Sequence, residues 1–598
     1  MKKALLAFVT FVFVFVVGCV NIVTTEPLPT TAAPTTLAPT TTTTAPTTLP
    51  PTTGVPTTTY SGQTFAPTTV APTTIPTTTA TPTTTTTPKI YMDLPDEDVE
   101  ISFWHIYGLT KSALLDELIE EFEAMFPNVT IVSSSQSTYP TLRDTVNQAI
   151  MVNQAPTMAL GYPDHFAMYL SANAVQKLDN YINSNVVYEV TDSASSIFGE
   201  YVPVSLDLED FVPGYLEENN QFSGIYYSLP FSKSSEVVAV NRTVLKNHVA
   251  AIRAAGIEIS DNGFLSHDQP LTLVQLQTLT PILVNATAST NVSAFKCGYL
   301  MNYDSSANMF INFSRLLNAP YTNTAGDILI NNQTTKDMLN YINALFTART
   351  FVLPTVWGED YGSANFKNGD VCMTVTSSAG VSYNIPSSAD TQANLKFGIF
   401  DVDYIGVPQS VGLENNNTPV TLNGGSTPYT FTGSLSAVQQ GGNVGIFNKA
   451  TTNEKLFAWL FIKWLTTSEN SARWAMDTGY LPVRMSSYVS DVEIDLTSTY
   501  STTFVDFMGI AQEYWANDGV VDWPITSEKW DYLHNSMVTN ICAEQTGYYR
   551  FDPGFAAKSR SAGSAKARDE AGDCLERIYS KEYSPEQALA IMLNQLVW

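Results

Sequence analysis

Val99-Glu100-Ile101-Ser102-Phe103-Trp104-His105-Ile106-Tyr107-Gly108-Leu109-Thr110-Lys111 decides the fold class. Its first five residues alternate apolar and polar, the period of a strand with one face in a core. A short loop follows, and Thr110 is placed to cap a helix from Lys111. Leu114, Leu115, Leu118, Ile119, Phe122, Met125 and Phe126 share one helical face, and Pro127 stops the helix. Val129 to Val132 then reads as a second strand. Strand, helix and strand in this order make a βαβ unit of a parallel sheet, so the chain is α/β. The loop after the first strand sits at the carboxyl end of that sheet, where such folds place ligands. Trp104, His105 and Tyr107 are therefore candidate site residues by position, although Trp104 reads equally well as core packing.

Downstream, the punctuation is helical. Thr451-Thr452-Asn453-Glu454 is a capping box ahead of Leu456, Phe457, Leu460 and Phe461. A further helix runs near Ser468 to Asp477 and ends at Gly479. Ser584-Pro585-Glu586-Gln587 opens a last helix with Pro at its first position. Upstream the pattern changes. From about Thr24 to Pro88 the chain is almost entirely Thr and Pro, an extended spacer whose maximal reach is on the order of 200 Å. Before it, Met1-Lys2-Lys3 precedes an apolar run from Ala4 to Val17, too short for a comfortable membrane span and suited to export. The run ends in Val16-Val17-Gly18-Cys19, which resembles the lipobox of bacterial lipoproteins and implies lipidation at Cys19. The sequence thus predicts a signal peptide over 1–18, a lipid-anchored Thr/Pro tether over 19–92, and a folded remainder. That remainder, roughly 510 residues, is ample for a large core.

The 598 residues carry a formal net charge of −27, which argues against nucleic acid and anionic membrane surfaces as partners. Charged residues are 14 % and aromatics 11 % of the chain, a folded composition and not that of a disordered acidic protein. Besides Cys19 there are Cys297, Cys372, Cys542 and Cys574, whose pairing the sequence leaves open. None shows metal-ligand spacing, and no His-x-x-x-His pair occurs, so neither a metal nor a cofactor is expected. There is no Gly-x-Ser-x-Gly elbow and no phosphate-cradling loop. Two carboxylates would suffice for a glycosidase, but nothing singles out a pair.

Several blocks in order resemble one family. They are Phe103-Trp104-His105; Asn153-Gln154-Ala155-Pro156; Leu229-Pro230-Phe231-Ser232-Lys233-Ser234-Ser235 through Asn241; Lys296-Cys297-Gly298-Tyr299; Phe366-Lys367-Asn368-Gly369-Asp370; and, most specific, Thr478-Gly479-Tyr480-Leu481-Pro482-Val483. From about Ile101 to Leu596 the chain resembles the extracellular solute-binding proteins of carbohydrate-type ABC importers. The resemblance implies a two-lobed, periplasmic-binding-protein-like fold (type II). It implies parallel-rich sheets flanked by helices, with a ligand cleft between the lobes. It implies crossings near Pro230 to Val237, Thr374 to Ser378 and Ser436 to Gly445, with lobes of 93–232 plus 376–440 and 233–375 plus 441–598. It also implies a monomer that hands a small solute to permease subunits without chemistry of its own.

The same resemblance aligns Tyr139, Ser234, Ser377 and Tyr480 with ligand contacts and puts Gly442 near a glycine that admits ligand. Two departures stand out. Where glycerol-phosphate-binding members have Glu after the Tyr matching Tyr162, this chain has Pro163 and then Asp164. Where they supply an Arg for phosphate, it reads Lys529-Trp530-Asp531-Tyr532-Leu533-His534. Lacking that cationic fork, the site is expected to favour a neutral sugar. Trp104, Tyr107, Tyr139, Tyr162, Tyr303, Tyr480 and Trp530 offer faces for sugar C–H surfaces, with Asp164 and Asp304 for hydroxyls. A glycerol-phosphate ligand and a surface adhesin are the competing expectations.

Overall fold

The computed structural model describes residues 88–598 apart from positions 286, 288, 525, 559 and 598. The leader, Cys19 and the Thr/Pro tether up to residue 87 lie outside the described residues. The expected end of the tether at residue 92 is corrected. Ile90–Asp93 is already a strand, paired in parallel with Val186–Glu189, as β-prone Ile, Tyr and Met allow.

The first strand, β1 (Val99–His105), runs into α1 (Leu109–Met125) and then β2 (Val129–Ser135). β1 and β2 pair in parallel from Val99↔Val129 to His105↔Ser135, the βαβ unit expected. The helix starts earlier than Thr110 capping would allow. Gly108 is its N-cap without a side-chain cap bond, and the first turn closes from Ser112 N–H to the Gly108 carbonyl, 2.9 Å. α2 (Tyr139–Met151), β3 (Met158–Gly161) and α3 (Pro163–Ser171) repeat the unit, with β3 parallel to β1.

After α4 (Pro213–Asn219) comes β4 (Leu229–Asn241), thirteen residues and all of them buried. The second lobe adds β5 (Tyr299–Tyr303), α5 (Ser306–Leu316), β6 (Phe351–Val352), β7 (Val371–Ser377) and β8 (Val402–Ile405). β9 (Ala437–Ile446) returns to the first lobe, followed by α6 (Thr452–Leu465) and α7 (Ser468–Thr478). The chain closes with α8 (Lys529–Gln545), α9 (Ser564–Tyr579) and α10 (Pro585–Leu596). The Thr451 and Ser584 capping boxes form, and Gly479 ends α7 at φ +72°.

One sheet threads both lobes in the order β2-β1-β3-β9-β4-β7-β5-β6. The amino-terminal half of β4 pairs antiparallel with β9, and its carboxyl half with β7 and β8. β4 and β9 are therefore the crossings that carry the sheet from lobe to lobe. One core holds Phe103, Leu118, Phe122, Phe231, Val444, Phe457, Trp459 and Trp474. A second holds Val238, Met301, Phe310, Cys372, Ile405, Leu435, Leu575 and Met592. A third, with Tyr215, Val237, Tyr404, Met476 and Met537, lies beneath the crossings.

This division differs from the expected boundaries. Residues of 402–437 pack mainly with the second lobe and those of 444–474 with the first, because β9 re-enters the first lobe beside β3. Cys297, Cys372, Cys542 and Cys574 are buried free thiols. Among the described residues, no helix is long and apolar enough to cross a membrane.

Candidate functional site

A cleft opens where the lobes meet. Tyr162, Pro163 and Asp164 line it from the first lobe, Glu218, Gln439 and Gln440 from beside the crossings, and Tyr321, Thr322, Phe551, Asp552, Pro553, Ser564 and Arg568 from the second. Tyr162 is the N-cap of α3, and Pro163 at the first position starts that helix directly after β3. The β3 turn thus delivers Tyr162 and Asp164 to the cleft at the carboxyl end of the parallel strands. The lobes touch at its rim: Arg143 Nη1 lies 3.3 Å from Asp569 Oδ2, and Gly554 N–H donates to Gln221 Oε1 at 2.6 Å.

Behind Tyr162, the first lobe packs further aromatic rings. The Tyr139 and Tyr162 rings lie 4.2 Å apart, tilted by 31°. The Tyr139 hydroxyl approaches Tyr480 but completes no hydrogen bond of good geometry, which leaves a buried polar atom free for another partner. Tyr480 itself packs on Trp474, and Lys111 Nζ sits 5.7 Å over its ring. Gly442 borders this group in a way the resemblance did not foretell. A Cβ there would lie 2.7 Å from the Tyr139 hydroxyl and 2.9 Å from Leu160 Cδ2, so the missing side chain makes room for Tyr139.

Other predicted residues form a supporting layer or lie elsewhere. His105 is buried, with Nε2 2.8 Å from Ser133 Oγ and Nδ1 accepting from Tyr107 N–H at 3.0 Å. The Tyr107 hydroxyl bonds to Ser232, and its ring packs edge-on against Trp474 and Tyr480. Trp104 is half-buried against the first core. None of the three lines the cleft: Trp104 and His105 are the last residues of β1, and Tyr107 just beyond it packs on Trp474 and Tyr480.

Tyr303 is buried in the second lobe and donates to Glu236 Oε2 at 2.6 Å. Asp304 accepts from Gly362 N–H at 2.7 Å, and burial raises its carboxyl pKa. Ser234 is buried opposite Gln440 in the crossing, and Ser377 caps a turn through Ala379 N–H. Trp530 packs edge-to-face on Tyr514 and Trp523, in the third core and away from the lining of the cleft.

Two charged residues of the lining, Glu218 and Arg568, carried no motif. Glu218 accepts from Lys233 Nζ at 2.9 and 3.0 Å, from Asn443 Nδ2 at 2.9 Å and from Gln439 Nε2. Lys233 is fully buried, and desolvation pulls its pKa below the ordinary value against the pull of Glu218. Arg568 on α9 places in the cleft a guanidinium, which the Lys529–His534 stretch lacks. Its Nη1 bonds Asp552 Oδ2 at 3.0 Å, its Nη2 bonds Asn308 Oδ1, and its guanidinium lies 6.0 Å over the Tyr162 ring. Among the described residues, no cluster of three His, Cys, Asp or Glu is placed to hold a metal.

Beside the cleft, His165 Nε2 is 3.7 Å from Asp164 Oδ1, and burial lowers the imidazole pKa to about 4. Its folded pKa lies below the ordinary 6.5, so the neutral form is preferred in the fold. Its contribution to stability is complete above pH 6.5 and disappears as pH falls towards 4. His165→Gln is expected to remove about 3 kcal/mol of the acid-induced loss over that window. Urea unfolding at pH 7 and pH 4 would show it; an unchanged difference between the two pH values would refute it.

A two-lobed α/β protein with a cleft beside its sheet crossings, walled by tyrosines and carboxylates, is built to capture a small polar solute. The chain belongs to the bacterial extracellular solute-binding proteins, whose family model matches residues 117–496. It is 23 % identical over 397 residues to the sn-glycerol-3-phosphate-binding periplasmic protein UgpB of Shigella dysenteriae serotype 1, covering 65 % of this chain and 75 % of that one. In structure it is similar to UgpB from Mycobacterium tuberculosis in complex with glycerophosphocholine, with TM-score 0.54, 15 % identity, and coverage of 83 % of this chain and 97 % of that one. It is also similar to the maltose/maltodextrin-binding domain MalE from Bdellovibrio bacteriovorus bound to maltotriose, with TM-score 0.53, 14 % identity, and coverage of 83 % and 98 %.

Proposed function

We propose that the cleft captures a neutral glycan fragment and that the lobes, closed about β4 and β9, present it to the permease of an ABC importer. The observation that carries this reading is the charge of the lining. Asp164, Glu218 and Asp552 line the cleft beside Arg568, whose terminal nitrogens are already engaged by Asp552 and Asn308, while Lys233 and Arg315 pair Glu218 and Asp552 from outside the lining. Carboxylates accept from sugar hydroxyls and repel phosphate. Tyr162, Tyr139 and Tyr321 supply faces for the apolar side of a pyranose. Capture needs no bond chemistry, so the protein acts as a receptor and not an enzyme. It works as a monomer held outside the cell membrane by lipid on Cys19, with the Thr/Pro segment as its tether.

A glycerol-phosphate-type solute is the second reading. It is favoured by one observation, the presence of Arg568 in the cleft, and by the ligands named for the two UgpB relatives. A thermal-shift screen against mono-, di- and oligosaccharides and glycerol phosphates decides between them, because a bound solute raises Tm by mass action. A shift with a neutral glycan that is not consumed is the expected result. A shift with phosphates alone would overturn the neutral-sugar reading, and turnover of the glycan would overturn the receptor role. With the solute in hand, Tyr162→Ala is expected to weaken binding about 10-fold or more by removing one stacking face. An unchanged Kd by calorimetry would remove Tyr162 from the site.

A further inference from the structure

Arg568 is one link in a line of hydrogen bonds that begins at a carboxyl in the first crossing strand. Glu236 on β4 is buried in the second lobe. Its Oε2 accepts from the Tyr303 hydroxyl at 2.6 Å and its Oε1 from Asn308 Nδ2 at 2.8 Å. The other end of the Asn308 amide, Oδ1, accepts from Arg568 Nη2. Beyond Arg568, Asp552 accepts from Nη1 and is shared with Arg315. Asn308 has one donor end and one acceptor end, and it is almost wholly buried. Turned over, it would set its amide hydrogens against the guanidinium and its oxygen against the carboxylate. The amide is thus oriented from both sides, and Glu236 reaches the cleft cation through it.

We propose that Glu236 and Asn308 are positioning residues that hold Arg568 in the cleft and set how strongly it attracts an anionic group on the solute. This rests on the reading of the cleft as the solute site. With Glu236 ionised, Arg568 and Arg315 are balanced by Asp552 and Glu236. With Glu236 protonated, the same set carries one net positive charge, and Arg568 is its cation that lines the cleft.

The surroundings of Glu236 provide for both forms. Burial pushes its pKa up to about 7, aided by Asp304 at the end of β5 and opposed by Tyr303, Asn308 and Arg568. From α8, Gln545 meets only its backbone, donating to the Glu236 carbonyl at 2.9 Å. When protonated, Glu236 can donate to the Tyr303 oxygen. The Asn312 side chain also faces the Tyr303 hydroxyl. A group with its pKa near 7 changes state across the ordinary range of extracellular pH, so the cleft becomes more receptive to anions as pH falls.

The test uses maltose and its aldonic acid, maltobionate, whose carboxylate stays ionised between pH 6 and pH 8. Calorimetric Kd values for the full chain are compared at both pH values. The wild type is expected to bind maltobionate roughly 3- to 10-fold tighter at pH 6, with maltose unaffected. Glu236→Gln, which keeps the shape and loses the charge, should bind maltobionate with the tighter value at both pH values. Asn308→Leu should weaken maltobionate more than maltose. A ratio of the two affinities that varies with pH alike in the wild type and Glu236→Gln would overturn the proposal while leaving the solute site standing. No binding of either sugar by the wild type would overturn both.

Discussion

Lys233→Met is expected to destabilise the protein by about 3–5 kcal/mol, because it leaves the Glu218 carboxylate buried without its cation. Lys233 has no exposed surface. Its ammonium bonds both Glu218 oxygens and the Gly441 carbonyl, 3.1 Å away, and so ties α4 to β4 and β9 at the crossing. The ammonium also lies 5.7 Å over the Tyr215 ring. Met fills the space of the stem but replaces none of these bonds. The double variant Lys233→Met with Glu218→Gln should recover a large part of the loss, since the neutral glutamine leaves no charge stranded. Urea unfolding of the wild type, the two single variants and the double variant gives the coupling directly. Additive losses would mean that Lys233 and Glu218 act independently, and the account of the crossing would fall. Glu218 and Gln439 also line the cleft, so the same variant should weaken solute binding even where it folds.

The Ser232-Lys233-Ser234-Ser235-Glu236 run shows where sequence reasoning stops. The resemblance placed a crossing here, but five polar residues in a row give no apolar pattern, and yet every residue of β4 is buried. Their polar atoms are satisfied by partners from distant segments, such as Glu218, Val438 and Asn308, which no local pattern announces. The local signals behaved differently. The alternation at Val99 to Phe103, the apolar helical face through Phe122, the capping boxes at Thr451 and Ser584 and the αL Gly479 each depend on neighbours within a turn or two. Each of them is present in the structure.

The cleft had no comparable signature. Tyr162 and Asp164 follow a predictable strand end, but Arg568 joins them only because α9, near the end of the chain, packs beside α3 and α5. The Lys529 stretch lies elsewhere: α8 packs against the helix Phe504–Ala516, with Phe507 and Ile510 in the third core, and its Trp530 is spent on packing there. Lobe membership was illegible for a related reason. A crossing strand belongs to both lobes, and only its pairing partners show where each half lies.

Gly441 and Gly442 are adjacent in β9, and their substitution is expected to have opposite consequences. Gly441 has φ +93°, where an L side chain is strained, and a Cβ would run into the Ser232 carbonyl oxygen and lie 2.7 Å from Lys233 Cα. Those atoms are backbone of β4 and cannot turn aside. Gly441→Ala should therefore cost at least about 3 kcal/mol, seen as a lower urea midpoint or failure to fold, by forcing the crossings apart. At Gly442 the obstructing atoms are the ends of the Tyr139 and Leu160 side chains. Those can give way, so Gly442→Ala should cost only about 1 kcal/mol of stability. Displacing the Tyr139 ring disturbs its stack with Tyr162, however, and solute affinity should fall about 10-fold. Tyr139→Phe removes the hydroxyl that meets the new methyl group, so Gly442→Ala with Tyr139→Phe should bind better than Gly442→Ala alone. If instead Gly442→Ala unfolds the protein and Gly441→Ala leaves it intact, the pairing of β4 with β9 differs from the one described. Were both variants stable and equally poor binders, β9 would serve the site without holding the lobes together. The expected pattern, stability lost at one glycine and binding at the next, follows from two faces of a single strand, one turned to the other crossing and one to the tyrosines of the cleft.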